Sequence, residues 1–445
     1  MLPCMTRQMH LVGYLMAGPS WHNNGSWRHR DSDAVRATDP ARYEHLARVM
    51  EAACFDALFF VDFAGIYDVF EGRPDAMLRW AGQMCLLDPM QLLATMSRVT
   101  RHIGLSATMS TTGTYPFHIA RSFATLDHIS GGRTAWNVVT SSGRMEARNL
   151  GLEALPDKAV RYDIADEVLE ACFGLWGSWE RDALRLDQAA GIYADPTKVR
   201  AVDYAGRYVR TAGPLSTPRG PQGRPVIMQA GSSPRGRDFA GRWAEVIFTH
   251  QGTVEAMQAF ASDIRARMES HGRDPDRCVI LPAIDVIAGE TQGQAEDLAA
   301  ELDALVNPEL GVAEISLILG QDLSPYPLDA PLSVPEGGSA IQGVMDNLRA
   351  GGALGEMTLR EAGRRYGVNQ MTPRLVGSGA AIADRLQEMF EAGGCDGFMV
   401  VPALSPGGYE DFGRFVVPEL QRRGLFRTEY TGRTLYENLF GVAPG

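Results

Sequence analysis

The sequence predicts an α/β fold, a (β/α)8 TIM barrel with long insertions at the strand carboxyl ends, and two observations support this prediction. Short apolar runs recur along the chain, and several are almost continuous in Val, Ile, Phe and Met, as in parallel strands that are buried on both faces. Segments with helical periodicity lie between most of these runs. Eight strands that alternate with helices favour a barrel. A doubly wound open sheet fits the same pattern, because periodicity does not distinguish a closed sheet from an open one.

The predicted strands and helices follow one another in the order that such a barrel requires. Three helix candidates carry an apolar stripe on one side, at residues 42–53, 116–129 and 380–392, and the last begins at the capping sequence Gly377-Ser378-Gly379. The predicted strands are residues 9–16, 57–63, 103–110, 134–140, 226–230, 245–249, 279–286 and 397–402.

The spacing between the predicted strands is uneven. The stretches near residues 64–100, 142–224 and 290–375 are longer than a helix with two loops requires. We interpret them as insertions within a single domain that spans residues 1–445. Residues 322–338 are rich in Pro, Gly, Ser and Asp, and they are expected to form a mobile loop or lid.

The composition excludes several classes of protein. Of the 445 residues, 45% are hydrophobic and 22% are charged, which is ordinary for a globular protein. The net charge of −12, without a basic stripe, argues against a nucleic-acid partner. No run has the length that spans a membrane and no signal peptide is recognised, so we expect a cytoplasmic protein. The six cysteines form no CxxC pair and there is no HExxH motif, so no metal site is expected.

Polar residues stand at the carboxyl ends of the predicted strands, where TIM barrels place their functional groups. Asp62 lies at the end of strand two, Thr108 belongs to a cluster of hydroxyl residues that ends strand three, and Asn137 lies between an indole and two valines in strand four. Asparagine is depleted in strand interiors, and a buried amide needs a partner from the fold or from a ligand. His22 lies in the loop after strand one, near Trp27. The simpler alternatives are an ion pair of Asp62 with an arginine and a solvent-facing loop histidine.

The end of strand five predicts an anion site. The sequence GSSPRGRDFAGRWAE begins with a turn at Gly231, continues with Ser232 and Ser233, and then opens a helix with a proline. Serine caps helices and proline suits their first turn. A helix N-terminus presents free N–H groups and a partial positive charge, and Arg235 adds charge nearby. An ordinary capped helix is the alternative, but the position at the carboxyl end of a barrel strand favours phosphate.

Sequence motifs of other enzyme classes are absent. There is no GxSxG elbow of a serine hydrolase, no GxxxxGK[ST] phosphate loop and no complete GxGxxG fingerprint. The sequence therefore gives no indication of a serine hydrolase or of a bound dinucleotide.

These strand-end residues, in this order, resemble the bacterial luciferase-like, flavin-dependent monooxygenases. The similarity is to the branch that includes nitrilotriacetate, dibenzothiophene sulfone and long-chain alkane monooxygenases, and it covers nearly the whole chain. Its most specific parts are the stretch that ends in WNVVTS and the stretch AGSSPRGRDFA. Further parts are FDALFFVDFAGIYDVF, RYDIADEVLEACFGLWGSWE and the carboxyl-terminal VVPELQRRGLFRTEYTGRTLYENLFG.

The resemblance implies a barrel that binds reduced FMN from a separate NAD(P)H:flavin reductase. It also implies oxygenation of a small organic substrate by O2 through a C4a-(hydro)peroxyflavin. On this basis Asp62, Thr108 and Asn137 line the flavin ring site. The phosphate and ribityl chain are expected at Tyr162 and at the two serines after strand five. Family members suggest a homodimer or homotetramer.

Three positions depart from the family pattern. Lys158 stands four residues before Tyr162, where members often have a histidine, and a lysine can contact phosphate as a point charge. Ser142 follows the VTS triplet directly, where the alkane-oxidising members have a histidine, and Gly18 replaces their strand-one cysteine. We take Ser142, together with His22 and Asn137, as candidate catalytic positions. The other motifs resemble both the alkane and the sulfone groups, so we expect an apolar, aromatic, organosulfur or alkane-like substrate.

The sequence thus predicts a two-component, FMNH2-dependent monooxygenase, and two alternatives stay open. One is an F420-dependent oxidoreductase of the same superfold, which would transfer hydride and use no O2. The other is a flavin-binding protein without catalytic activity, because Asp62, Asn137 and Ser232 would allow binding without turnover.

Overall fold

Eight parallel strands close into a barrel in the computed structural model, which describes residues 7–332 and 357–443. Each strand pairs with the next in parallel, and the last pairs with the first, so the barrel is confirmed and the open sheet is excluded. The strands are β1 His10–Met16, β2 Ala57–Val61, β3 Gly104–Ser110, β4 Thr134–Val139, β5 Val226–Gln229, β6 Val246–Thr249, β7 Val279–Gly289 and β8 Gly397–Pro402.

The eight predicted barrel strands agree with the structure to within a few residues, and the same sheet has a further strand that was not predicted. A ninth parallel strand, Arg374–Ser378, pairs with the end of β7 in the register Asp285 to Arg374. This strand begins at the end of a predicted insertion, and its last residues belong to the predicted capping sequence Gly377-Ser378-Gly379. The ion pair between Arg374 Nε and Asp285 Oδ2, at 2.6 Å, holds it beside β7. A long-range contact therefore forms a strand that the local pattern does not indicate.

Capping side chains fix where many of the helices begin. Asp39, Ser233, Thr253 and Ser378 each accept a hydrogen bond from a backbone N–H of the helix that follows. The α-helices are α1 Pro40–Ala52, α2 Asp75–Trp80, α3 Pro89–Val99, α4 Pro116–Ser130, α5 Arg144–Asn149, α6 Lys158–Trp176, α7 Pro234–Trp243, α8 Val254–Ser270, α9 Gln292–Ala304, α10 Pro308–Leu319, α11 Leu359–Asn369, α12 Gly379–Glu391, α13 Gly407–Asp411, α14 Val417–Arg422 and α15 Leu435–Phe440. A π-helix, Phe412–Val416, joins α13 to α14.

The predicted insertions contain helices of the barrel itself. Helix α3 packs against α1 and α4, and α6 packs against α4 and α7, so both belong to the outer ring. Within the first two predicted insertions, the additional segments are therefore shorter, near residues 62–88, 140–157 and 177–225, whereas the third, near residues 290–375, contains α9, α10 and α11 among its described residues. The segment near residues 177–225 contains two small hairpins, Leu184–Asp187 with Ile192–Ala194 and Tyr204–Ala205 with Arg210–Thr211. Of the expected lid at residues 322–338, residues 333–338 lie outside the described residues.

A second apolar core lies beside the barrel core. Its backbone is tied to the chain that follows β1, because Asn24 N donates to Gly367 O at 2.9 Å and Leu86 N donates to Ala17 O at 2.7 Å. It therefore lies at the carboxyl end of the barrel. We call it the second cluster, and its buried members are Phe70, Ala76, Met77, Met84, Leu310, Val312, Ala313, Ile315, Ile318, Leu319, Leu323, Leu332, Leu359, Ala362 and Tyr366.

Among the described residues, no helix combines the length and the apolar character needed to cross a bilayer.

Candidate active site

Aromatic side chains fill the barrel interior below its carboxyl end. The Phe59 and Phe248 rings meet across the barrel at 4.7 Å between centroids, and Tyr14 stacks on Phe59 at 6.2 Å. Because inward-facing residues alternate along a strand, the residues two positions further on face the same interior, closer to the mouth. His250 stands two positions after Phe248. On β3, Thr108 stands two positions after the residue in register with Phe59.

Asn137 faces this interior with half of its amide unpaired. Its exposed fraction is 2%, and its Nδ2 donates to Thr108 Oγ1 at 2.8 Å. The Thr108 hydroxyl uses its own hydrogen on Phe60 O, at 2.7 Å, so it accepts from Asn137. The Asn137 Oδ1 atom is buried without a partner. The fold therefore satisfies the donor side of this amide and leaves the acceptor side for a ligand.

Three further polar atoms towards the carboxyl end of the barrel are buried without partners. They are Gln229 Oε1 at the end of β5, His250 Nδ1 after β6, and Arg161 Nε on α6. Sequence reasoning missed all three. The strand-end rule would have found Gln229 and His250, and Arg161 stands next to the predicted Tyr162. Buried polar groups are ordinarily paired, so this group of atoms indicates a polar ligand.

The N-terminus of α7 has the form that the sequence predicted. Ser233 is the N-cap, and its Oγ accepts from Gly236 N at 3.2 Å. An ideal Cβ on Gly236 would lie 2.7 Å from the Tyr162 hydroxyl, so the hydroxyl reaches the first turn of the helix. Tyr162 is itself buried, with an exposed fraction of 6%. Tyr162, Ser232 and Ser233 are thus near one another, as a phosphate or ribityl site requires.

Two basic side chains were predicted near this corner, Arg235 and Lys158. Arg235 ion-pairs with Asp163 at 3.2 Å and with Asp166 at 2.5 Å, so carboxylates of α6 already engage its guanidinium. It stacks over the Tyr162 ring at 5.4 Å, which makes it a support for that ring. Lys158 lies in the first turn of α6, where partial burial and the nearby Arg161 lower its pKa.

Asp62 is half-buried just after β2. No described basic side chain forms an ion pair with it, so the structure does not support the alternative of an arginine pair. Burial raises the pKa of Asp62 from 3.8 to about 7, against a smaller opposing effect of a hydrogen bond from Cys85. A substantial fraction of this carboxyl is therefore protonated at neutral pH.

His22 is buried in the mouth, with an exposed fraction of 4%. Its ring lies 4.8 Å from that of Tyr14 and 6.2 Å from that of His250, and its Nδ1 lies 3.3 Å from Thr372 Oγ1. Burial lowers the pKa of His22 to about 3 and that of His250 to about 4, so both rings are neutral. A second histidine of the same loop, His29, lies outside this group, and its Nε2 is 3.2 Å from Glu301 Oε2.

Ser142 lies exposed after β4. Its backbone N donates to Glu146 Oε2 at 2.9 Å, and the same carboxylate oxygen accepts from Gly143 N. The preceding Ser141 has a φ of 54° and its Oγ lies 2.8 Å from Ser110 Oγ. The backbone around Ser142 is thus held firmly, while a catalytic role of its hydroxyl stays a prediction.

Comparisons with known proteins identify the relatives of this chain. Residues 21–396 match a family model described as luciferase-like monooxygenase. The chain is 46% identical to the dibenzothiophene-sulfone monooxygenase of Rhodococcus erythropolis strain XP, over 97% of this chain and 96% of the relative. It is 38% identical to the nitrilotriacetate monooxygenase component A of Aminobacter aminovorans, over 98% and 97%. A solved structure of riboflavin lyase with modified FMN and riboflavin superimposes with a TM-score of 0.88, at 32% identity, over 98% of this chain and 96% of the other.

Proposed function

Since the chain belongs to the luciferase-like monooxygenase family and is a flavin-dependent monooxygenase, we propose that it is the oxygenase component of a two-component system. It receives reduced FMN from a separate NAD(P)H:flavin reductase and inserts one atom of O2 into a small organic substrate. The other oxygen atom leaves as water. The name "component A" of one relative supports the two-component arrangement, and the lack of a dinucleotide motif agrees with it.

The observation that carries the proposal is the set of buried polar atoms that lack partners around the mouth. Asn137 Oδ1 on β4 and His250 Nδ1 after β6 face the barrel interior, and Gln229 Oε1 lies at the end of β5, the strand between them. A flavin ring presents N–H and C=O groups along one edge, which suits such a mixture of acceptors and ring nitrogens. The riboflavin lyase structure, which contains a modified FMN, supports this choice of cofactor.

Several of the predicted residues have defined tasks in this proposal. Asn137, Thr108 and neutral Asp62 orient the ring, and the N-terminus of α7 with Tyr162 holds the phosphate. Bound reduced flavin supplies the electrons and the reaction with O2. The chain itself binds the flavin, orients it and excludes water from the site. The second cluster, packed at the mouth, provides the exclusion of water.

The substrate is an apolar molecule that occupies the space between the flavin site and the second cluster. Phe63 and Tyr67 stack at 4.6 Å between centroids at the end of β2, and Tyr67 packs against the second cluster. His22 is neutral there, so it acts as a hydrogen-bond partner or as an acceptor of a proton from the substrate. The sequence identity of 46% with a dibenzothiophene-sulfone monooxygenase supports an aromatic organosulfur substrate.

The test is substrate-dependent oxygen consumption with FMN, NADH and a flavin reductase, with dibenzothiophene sulfone as the first probe. We expect product that contains one oxygen atom from 18O2. Turnover with reduced F420 and without O2 would instead establish the hydride-transfer alternative. Binding of FMN without substrate-stimulated product across a broad panel of apolar compounds would establish a non-catalytic flavin protein.

A further inference from the structure

Glu314 is a buried carboxyl in apolar surroundings. It lies on α10, where Leu310, Ile315 and Ile318 belong to the second cluster, and its exposed fraction is 3%. No described arginine, lysine or histidine forms an ion pair with it. Carboxyl groups are almost never buried unless they are paired, so this residue calls for a functional explanation.

The polar neighbours of Glu314 satisfy its carboxyl group only in part. The Asn24 side chain and the Gln83 backbone hydrogen-bond to it. Asn24 is fixed in turn, because its Oδ1 accepts from Asn307 N at 3.1 Å. The Glu314 Oε2 atom remains buried without a partner. The fold thus holds the carboxyl in place and leaves one oxygen for another molecule.

Glu314 is connected to the proposed site from two sides. Its neighbour Asn24 follows His22 by two residues in the loop after β1. From the other side, the second cluster, to which Glu314's helix contributes, extends to Tyr67, which stacks on Phe63 next to Asp62. The buried Tyr366 side chain of α11 lies near Glu314 as well as near Tyr14 and Tyr67, so the carboxyl lies close to the residues around the mouth.

We propose that Glu314 determines substrate specificity by donating a hydrogen bond from Oε2 to an oxygen atom of an otherwise apolar substrate. This inference rests on the proposed function and narrows its substrate class. Oxygen-bearing molecules such as aromatic sulfones are preferred to the corresponding compounds without the oxygen. When a compound without oxygen binds, the buried Glu314 carboxyl stays unpaired, and this weakens binding.

The protonation state of Glu314 permits this role. Burial raises its pKa from 4.5 to about 8, so the carboxyl retains its proton at neutral pH and can donate. The groups that face it are Asn24, the Gln83 backbone and the buried Tyr366 of α11, none of which is charged. The charged side chains of α2, α10 and α11 are exposed, namely Asp75, Arg79, Glu309, Arg360, Glu361, Arg364 and Arg365.

The experiment compares the dissociation constants of dibenzothiophene sulfone and dibenzothiophene, which share one ring system and differ only in the sulfone oxygens. Binding to the full-length protein is measured by calorimetry for wild type, Glu314→Gln and Glu314→Leu. The amide of the first variant still donates a hydrogen bond, and the second variant removes the donor. We define the preference as the dissociation constant of dibenzothiophene divided by that of the sulfone. We expect this ratio to be above one for wild type and Glu314→Gln, and about tenfold lower for Glu314→Leu than for wild type.

A pH series provides the second measurement and does not depend on the leucine variant. Above about pH 9 the wild-type carboxyl is ionised and repels a sulfone oxygen, so its preference should fall, while that of Glu314→Gln should not. The inference is overturned if Glu314→Leu prefers the sulfone as strongly as wild type does. It is also overturned if the preference of the wild-type protein does not change with pH.

The failure of this inference is distinguishable from failure of the proposed function. A wild type that binds FMN and oxygenates the sulfone without preferring it over dibenzothiophene would overturn only the role of Glu314. A wild type that prefers the sulfone through Glu314 but binds no FMN would overturn the proposed function instead.

Discussion

At the scale of single residues, the mouth of the barrel retains polar atoms that the fold does not satisfy. A buried unpaired acceptor such as Asn137 Oδ1 costs about 1–3 kcal/mol. Such a cost is offset when a ligand supplies the missing donor. The same reasoning applies to Gln229 and His250, which makes these three residues the most informative targets for substitution.

Asn137→Ala should weaken the binding of reduced FMN by about three- to tenfold, because one hydrogen bond to the ring is lost. Anaerobic fluorescence titration measures this constant. Asn438→Ala is the control, since the Asn438 amide bonds within the carboxyl-terminal segment, where its Oδ1 accepts from Gly432 N at 2.8 Å. Equal affinity of wild type and Asn137→Ala would remove Asn137 from the cofactor site.

Asp62 should make the stability of the protein depend on pH. Burial raises the pKa of Asp62 in the folded protein to about 7, above its ordinary value of 3.8. The folded protein therefore binds this proton more tightly than the unfolded chain does. The free energy of unfolding therefore loses this contribution as pH rises from about 4 to about 7, and the loss is complete above that range.

The Asp62→Asn variant removes this dependence. The melting temperature of the variant minus that of wild type should be larger at about pH 8 than at about pH 5, because only wild type loses stability as the pH rises. Calorimetric melting at both pH values, without cofactor, gives the comparison, and the low-pH pair serves as the internal control. A constant difference between the two proteins at all pH values would show that Asp62 titrates normally.

At the scale of elements, the N-terminus of α7 combines a helix cap with the proposed phosphate site. Ser233 Oγ serves the cap, Ser232 precedes it, and the Tyr162 hydroxyl lies at the first turn. A helix N-terminus attracts anions through its free N–H groups. The carboxylates around Arg235 leave this attraction to the helix itself and to the serines.

Ser232→Ala combined with Ser233→Ala should weaken FMN binding about tenfold and riboflavin binding less, because only FMN carries the phosphate. Titration with both ligands gives the ratio. Ser378→Ala is the matched control, since Ser378 caps α12 in the same way, with its Oγ accepting from Ala381 N at 3.4 Å. That variant should lose about 1 kcal/mol of stability without changing the ratio. Equal losses for both ligands in the double variant would argue against a phosphate role.

At the scale of the whole molecule, the second cluster joins segments that are distant in sequence over one end of the barrel. Helices α10 and α11 approach closely, since an ideal Cβ on Gly311 would lie 1.9 Å from Gly363 O. In the proposed function this packing keeps bulk water away from the flavin site, where O2 would react.

Gly311→Ala should separate α10 from α11, at a cost of about 1–3 kcal/mol from overpacking. We expect a lower melting temperature and more hydrogen peroxide released per NADH consumed. Gly293→Ala is the control, because no atom lies within 4 Å of its ideal Cβ. If Gly311→Ala lowers the melting temperature but leaves peroxide release unchanged, the packing of α10 against α11 does not contribute to water exclusion.

Much of this organisation could be predicted from the sequence. The apolar runs placed the eight barrel strands, and the strand-end rule selected Asp62, Thr108, Asn137 and the serines after β5. The strand Arg374–Ser378 could not be predicted, because its formation depends on Asp285, 89 residues away along the chain. Arg235 was expected at an anion, and its carboxylate partners on α6 became visible only when the two helices were brought together.

The sequence by itself determined the alternation of strands and helices and the residue types at the strand ends, because these follow from local periodicity and from the chain direction shared by parallel strands. The tertiary structure alone decided which polar atoms are left without partners, which histidines are neutral, and that Glu314 is buried without a counter-charge. Burial and pairing depend on contacts between distant segments, and no local pattern of residues records those contacts.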